Sequence, residues 1–240
     1  MRQQWLASTG VFSRFMPMSA AEVKVIGVIQ AKGGVGRSTI ATNLAAIFSL
    51  KAPTLLIDCD LPQGTSASWF ALRQQDLAAT SLNLTVAATP RELVTIVANA
   101  GAAYRHVIID GPPRLAGMTR AILLLSDLSL IPLGASAVEF WSASDLLPVI
   151  AEARKYRADL AVHIVWNRFR PQTREAQELR AAAAEQIPLP QFESRLGYRV
   201  AYSEALARGL SADEWLDPVA HGEVRALAVE VQRILLEERA

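Results

Sequence analysis

Nine consecutive residues, Ala31-Lys32-Gly33-Gly34-Val35-Gly36-Arg37-Ser38-Thr39, combine glycines, cations and hydroxyls in an order that suits a phosphate ligand. Glycines let backbone N–H groups turn inward around an anion, and a helix start adds the positive end of its dipole. Ser38 stands where a hydroxyl can ligate Mg2+ beside phosphates. Glycines alone say little. Here an apolar β-rich run (23–29, VKVIGVI) precedes them and a helical pattern (39–50) follows, with Leu44, Ile47 and Phe48 on one face. That strand–loop–helix order is the specific signal. Other polar groups end other apolar runs: Asp58 and Asp60 after 54–57, Asp110 after 107–109, and Asn167 after 161–166.

Further strands are expected over 82–87, where LNLTVA alternates, and over 129–131. Thr89-Pro90-Arg91-Glu92 is a capping box with proline at the first helical position, so a helix starts there. Helices are expected over 142–157, 173–186, 198–208 and 222–238. Short apolar strands separated by helices imply an α/β domain with a mostly parallel sheet, flanked by helices on both faces. Ligands in such sheets bind beyond the carboxyl ends of the strands. The glycine loop, Asp58, Asp110 and Asn167 therefore gather at one edge. Nothing in the chain reads as an internal repeat or a linker. Residues 21–240 form one domain, and 1–20 read as a leader.

The stretch AKGGVGRST resembles the deviant Walker A motif of the ParA/MinD superfamily of P-loop ATPases, whose pattern is KGGxGK[ST][ST]. LLIDCDLPQGTSASW is similar to the family's segment after the second strand, and HVIIDGPP to its Walker B strand. The resemblance runs over nearly the whole chain and is strongest to the short, ParF-type partition ATPases. It implies a single-domain P-loop NTPase fold, ATP and Mg2+ as ligands, and hydrolysis of ATP. Gly33, Gly34, Val35, Gly36, Arg37, Ser38 and Thr39 would hold the nucleotide, with Asn167 facing adenine. Ser38, Asp58 and Asp110 would serve the magnesium, and Asp60 the attacking water. Lys32 matches the lysine that reaches across a homodimer to the partner's phosphates. A ParB-like or other small adaptor, non-specific nucleoid DNA and a cytoplasmic location are implied with it.

Two positions depart from the pattern. Arg37 stands where the family has its phosphate-binding lysine; a planar fork replaces a compact point charge. Arginine there implies ATP binding with slow hydrolysis. Leu61 adds a residue between Asp60 and the Pro-Gln pair, which unsettles the register of Asp60.

Composition narrows the class. Charge is nearly balanced, with 24 basic and 23 acidic residues, so net charge demands neither nucleic acid nor lipid. Cys59 is the only cysteine; no internal disulfide is possible, and a reducing compartment is expected. One cysteine also argues against a metabolic relative that drives reduction or metal insertion through paired thiols. No apolar run reaches the length of a spanning helix. The last helix carries four glutamates against three arginines and is expected to pack on the domain rather than lie on anionic lipid, as a MinD-like alternative would require. Between 154 and 208, ten basic residues face six acidic ones, which suggests a diffuse DNA-backbone patch that includes Arg195 and Arg199. A weakly hydrolysing ATP-gated scaffold is the remaining alternative.

Overall fold

The structure, a computed structural model, describes residues 23–61, 63–76, 81–101, 103–113 and 117–237. The leader 1–20 lies outside the described residues. The strands are β1 (Lys24–Val28), β2 (Thr54–Asp58), β3 (Leu82–Val86), β4 (His106–Asp110), β5 (Leu128–Leu133), β6 (Ala161–Phe169) and β7 (Gln191–Gly197). Among the described residues they form one sheet in the order β3-β2-β4-β1-β5-β6-β7, and every pairing is parallel.

Parallel neighbours need crossovers, and helices supply them. The helices are α1 (Arg37–Ser49), α2 (Thr65–Asp76), α3 (Pro90–Ala100), α4 (Gly117–Leu125), α5 (Ala137–Ser144), α6 (Leu147–Arg154), α7 (Arg174–Gln186), α8 (Val200–Leu206) and α9 (Pro218–Glu237). The two faces of the sheet bury separate cores. Along β1, Val25 enters the core with α3, α4 and α6, while Ile26 and Val28 enter the one with α1 and α9. This period of two, apolar on both sides, is why the central strands read as continuous hydrophobic runs.

Strand order makes the site. The chain leaves β1 toward β2 and β3, returns through β4, and then crosses to β5 on the other side of β1. The loop after β1 therefore opens at the switch point of the sheet, where a crevice forms outside the carboxyl ends.

Several elements differ from expectation. Helices α2 and α4 and strand β7 add to those expected. The helix expected over 142–157 is two, α5 and α6, with Pro148 in the first turn of the second, where its missing N–H costs nothing. Helix α9 begins at Pro218 because the Asp217 carboxylate accepts from Val219 N (2.9 Å) and Ala220 N (3.1 Å), which caps that end. As expected, α9 packs on the domain: Val224, Leu227, Val231, Ile234 and Leu235 are buried.

Candidate nucleotide-binding site

Gly36 caps α1 with φ 92, in the left-handed region. A side chain there would also collide with the Asn167 amide, so only glycine fits. Helices α3, α5 and α7 each carry a hydroxyl cap (Thr89, Ser136, Thr173) and an acid in the first turn. The start of α1 has neither. Its first N–H groups and its positive dipole end face the crevice, an anion site made of backbone. A cavity of about 440 Å3 opens there, bordered by Gly33, Gly36, Ser38, Thr39 and Asp60.

Arg37 also borders that cavity, but its donors are engaged by the protein itself. Its Nε donates to Gly111 O (2.8 Å), and Nη1 to Gln30 O (2.9 Å) and Lys32 O (2.6 Å). Nη2 lies 3.7 Å from the Asp60 carboxylate. The guanidinium is buried and joins the glycine loop to the turn after β4. Burial lowers its pKa, opposed by the charges of Asp110 and Asp60. The fork geometry that matches phosphate here matches three converging carbonyls.

The carboxylates sort themselves by partner. Asp58 accepts from Asp60 N and Ala67 N, both at 2.9 Å, so it braces the turn into α2. Each oxygen takes one backbone N–H, so Asp58 supports the loop that carries Asp60 and keeps acceptor capacity on both oxygens. Asp60 O accepts from Gln63 N (3.0 Å) and Gly64 N (2.7 Å), closing a turn that pushes Leu61 outward. The extra residue is absorbed there, and Asp60 still borders the cavity. Asp110 is buried; Ser66 Oγ donates to its Oδ2 at 2.7 Å, while Oδ1 has no hydrogen-bond partner. Burial pushes its pKa up to about 6, against the pull of the Ser66 and Ser38 hydroxyls. Cys59 is buried beside these acids, and burial raises its pKa, in keeping with a filler.

This set fits magnesium. No cluster of three or more acidic, histidine or cysteine side chains that could cage a metal occurs among the described residues. Mg2+ does not need one, since it keeps waters and takes one or two protein oxygens beside phosphates. The Ser38 hydroxyl would be the direct ligand, and the orphaned Asp110 Oδ1 an acceptor for a metal-bound water. Magnesium so held would neutralise phosphate charge.

Lys32 leads away from its own loop. Its Nζ lies 3.9 Å from Glu139 on α5, and the side chain is 36% exposed. Strand β6 runs two residues past Asn167 to Phe169, beyond the expected end, and the Asn167 amide faces the loop rather than open space: Nδ2 donates to Val35 O (2.7 Å) and Oδ1 accepts from Arg168 N (3.0 Å). A second cavity, of about 330 Å3, adjoins it between Thr39 and Tyr202.

Of the two arginines expected to meet DNA, Arg199 is already paired. Its Nη2 lies 3.0 Å from Glu223, which also accepts from Tyr202 and Gly197 N. Arg195 sits over the Phe169 ring (5.4 Å) beside Arg180, in an open depression of about 800 Å3. Sequence reasoning missed Ser66, Glu139, Gly111 and Arg168. Each lies far along the chain from the partner that gives it meaning.

An all-parallel sheet with a glycine loop at its switch point, a bare helix start and buried acids defines a P-loop nucleotide-binding protein. The profile of the CobQ/CobB/MinD/ParA nucleotide binding domain matches residues 26–212, and the chain belongs to that family. It is 31% identical over 227 residues to the maintenance of carboxysome distribution protein A of Gloeobacter kilaueensis, covering 91% of this chain and 98% of that one. The ATP complex of a point variant of Cyanothece McdA shares the fold, with TM-score 0.74 and 18% identity over 88% of this chain and 97% of that one. A putative plasmid partition protein of Borrelia burgdorferi, solved with AMPPNP, shares it with TM-score 0.70 and 20% identity over 90% and 100%.

Proposed function

We propose that the chain is a ParA-like positioning ATPase: Mg-ATP at the glycine loop closes two copies together, the dimer holds DNA without sequence preference, and a small ParB-like or other adaptor on the cargo triggers hydrolysis and release. The observation that carries this reading is Lys32. Its side chain does not border the loop cavity; it lies 3.9 Å from Glu139 on α5 and is 36% exposed. A cation placed there gives ATP a reason to join two copies.

Within one protomer the backbone of the loop and the start of α1 bind the phosphates. Ser38 and Asp110 orient the magnesium, and Asp60 lies at the cavity edge to orient a water. Phosphoryl transfer needs such positioning and charge neutralisation more than covalent chemistry. The relative that distributes carboxysomes is matched along almost its whole length, which favours a protein compartment as cargo over a plasmid or a chromosome. A lipid surface is disfavoured, because the apolar face of α9 is buried in the core.

A second reading, a weakly hydrolysing ATP-gated scaffold, is favoured by one observation: Arg37, although it borders the cavity, has its Nε and Nη1 engaged by three backbone carbonyls. DNA mobility shift and liposome flotation, run side by side with ATP and with ADP, test the main reading. It predicts a shift with ATP alone and no flotation. Flotation on anionic vesicles without a DNA shift would replace it with a MinD-like one.

A further inference from the structure

Arg168 has φ 52, the only positive value at a non-glycine residue among the described residues. Left-handed backbone disfavours a long side chain and persists where the surroundings impose it. Two features impose it here. The Asn167 side chain holds Arg168 N and the loop carbonyl of Val35 at once. The β6–β7 register also slips at this point: Trp166 pairs with Arg195 and Phe169 with Gly197, so one extra residue of β6 bulges out. Bulges re-aim side chains. This one sends the Arg168 guanidinium back over the glycine loop, where Nη2 donates to Gly34 O. The side chain borders both the loop cavity and the second cavity beside it.

The charges around the loop give this placement its meaning. Arg37 is buried against three carbonyls and Asp60, and Lys32 leads toward Glu139. Among the described residues Arg168 has no carboxylate partner; it is exposed and meets only a neutral carbonyl. A guanidinium at a glycine turn that cradles phosphates is well formed for bidentate contact with them.

We propose that Arg168 is a polyphosphate-binding residue, supplying from near the end of β6 the cis charge that Arg37, on the same cavity, directs at backbone carbonyls and Asp60. This rests on the ATP-binding reading of the same site. Three proteins separate the possibilities by calorimetry with ATP, ADP and adenosine in Mg2+ buffer: the natural chain, Arg168→Gly and Arg168→Lys. Glycine accepts the left-handed backbone, so Arg168→Gly should melt at the same temperature or higher. It should nonetheless lose at least about tenfold in ATP affinity, less for ADP and none for adenosine. Arg168→Lys should recover part of the ATP loss. ATP binding by Arg168→Gly equal to that of the natural chain would overturn the proposal, as would an equal loss for adenosine, which would mark Arg168 as shaping the pocket. If the natural chain itself bound no Mg-ATP, the reading of the whole site would fall first.

Discussion

Arg37 sets the chemistry of this loop by what it does not do. Its guanidinium satisfies Gln30 O, Lys32 O and Gly111 O, three carbonyls that a lysine ammonium cannot all reach with good geometry. Arg37→Lys should therefore trade stability for rate. Loss of these charge-assisted bonds should lower stability by on the order of 2 kcal/mol, read in a thermal melt. A lysine free to meet phosphate should raise turnover about tenfold or more, since one well-placed transition-state contact is worth about 10²-fold. Equal turnover in the two proteins would show arginine to be an adequate phosphate ligand here. Ser38→Ala makes a separate point: ATP affinity should fall when Mg2+ is present and hardly change in EDTA, by calorimetry. Unchanged affinity in Mg2+ would remove Ser38 from the metal site.

At the scale of elements, the glycine loop, the helix after it and the aspartates at strand ends are legible in the sequence. Each is local: a run of apolar residues, then a polar group with a known job. Strand β7 is not legible, because QFESRLG buries only Phe192, Leu196 and Gly197, without regular alternation. Edge position and the bond from Trp166 Nε1 to Gln191 (2.8 Å) hold it. The direction of Arg37 is hidden for a related reason, since its acceptors lie up to 74 residues away along the chain. One element carries an acid-sensitive residue. His106 opens β4 against the Phe48 ring (4.8 Å), and burial pulls its pKa down to about 4. A neutral buried histidine must gain a proton on unfolding below its usual pKa of about 6.5. Stability should thus be full above pH 6.5 and fall as pH drops toward 4, by at most about 3 kcal/mol from this residue. His106→Phe should flatten that part of the pH–stability curve in denaturant melts; an unchanged slope would mean His106 is not its source.

For the whole molecule, the arrangement makes the two proposed functions, nucleotide binding and DNA binding, separable. The arginines left for the proposed DNA contact are Arg180 and Arg195, while Arg199 belongs to the Glu223 network. Arg180→Glu with Arg195→Glu should weaken DNA binding at least about tenfold and leave ATP binding intact, whereas Arg199→Glu should chiefly destabilise the fold. With ~4 phosphate contacts, DNA affinity of the natural chain should fall about a hundredfold between ~50 and ~200 mM salt. A mobility shift indifferent to salt would point away from phosphate contacts. The proposed dimer switch rests on Lys32, a cation that a lone P-loop has no use for. Sedimentation velocity of the natural chain and of Lys32→Ala, each with Mg2+ and a non-hydrolysable ATP analogue or with ADP, tests it most directly. The account predicts a dimer only for the natural chain with the ATP analogue, and monomers in the other three samples. A natural chain that stays monomeric with the analogue bound would contradict it.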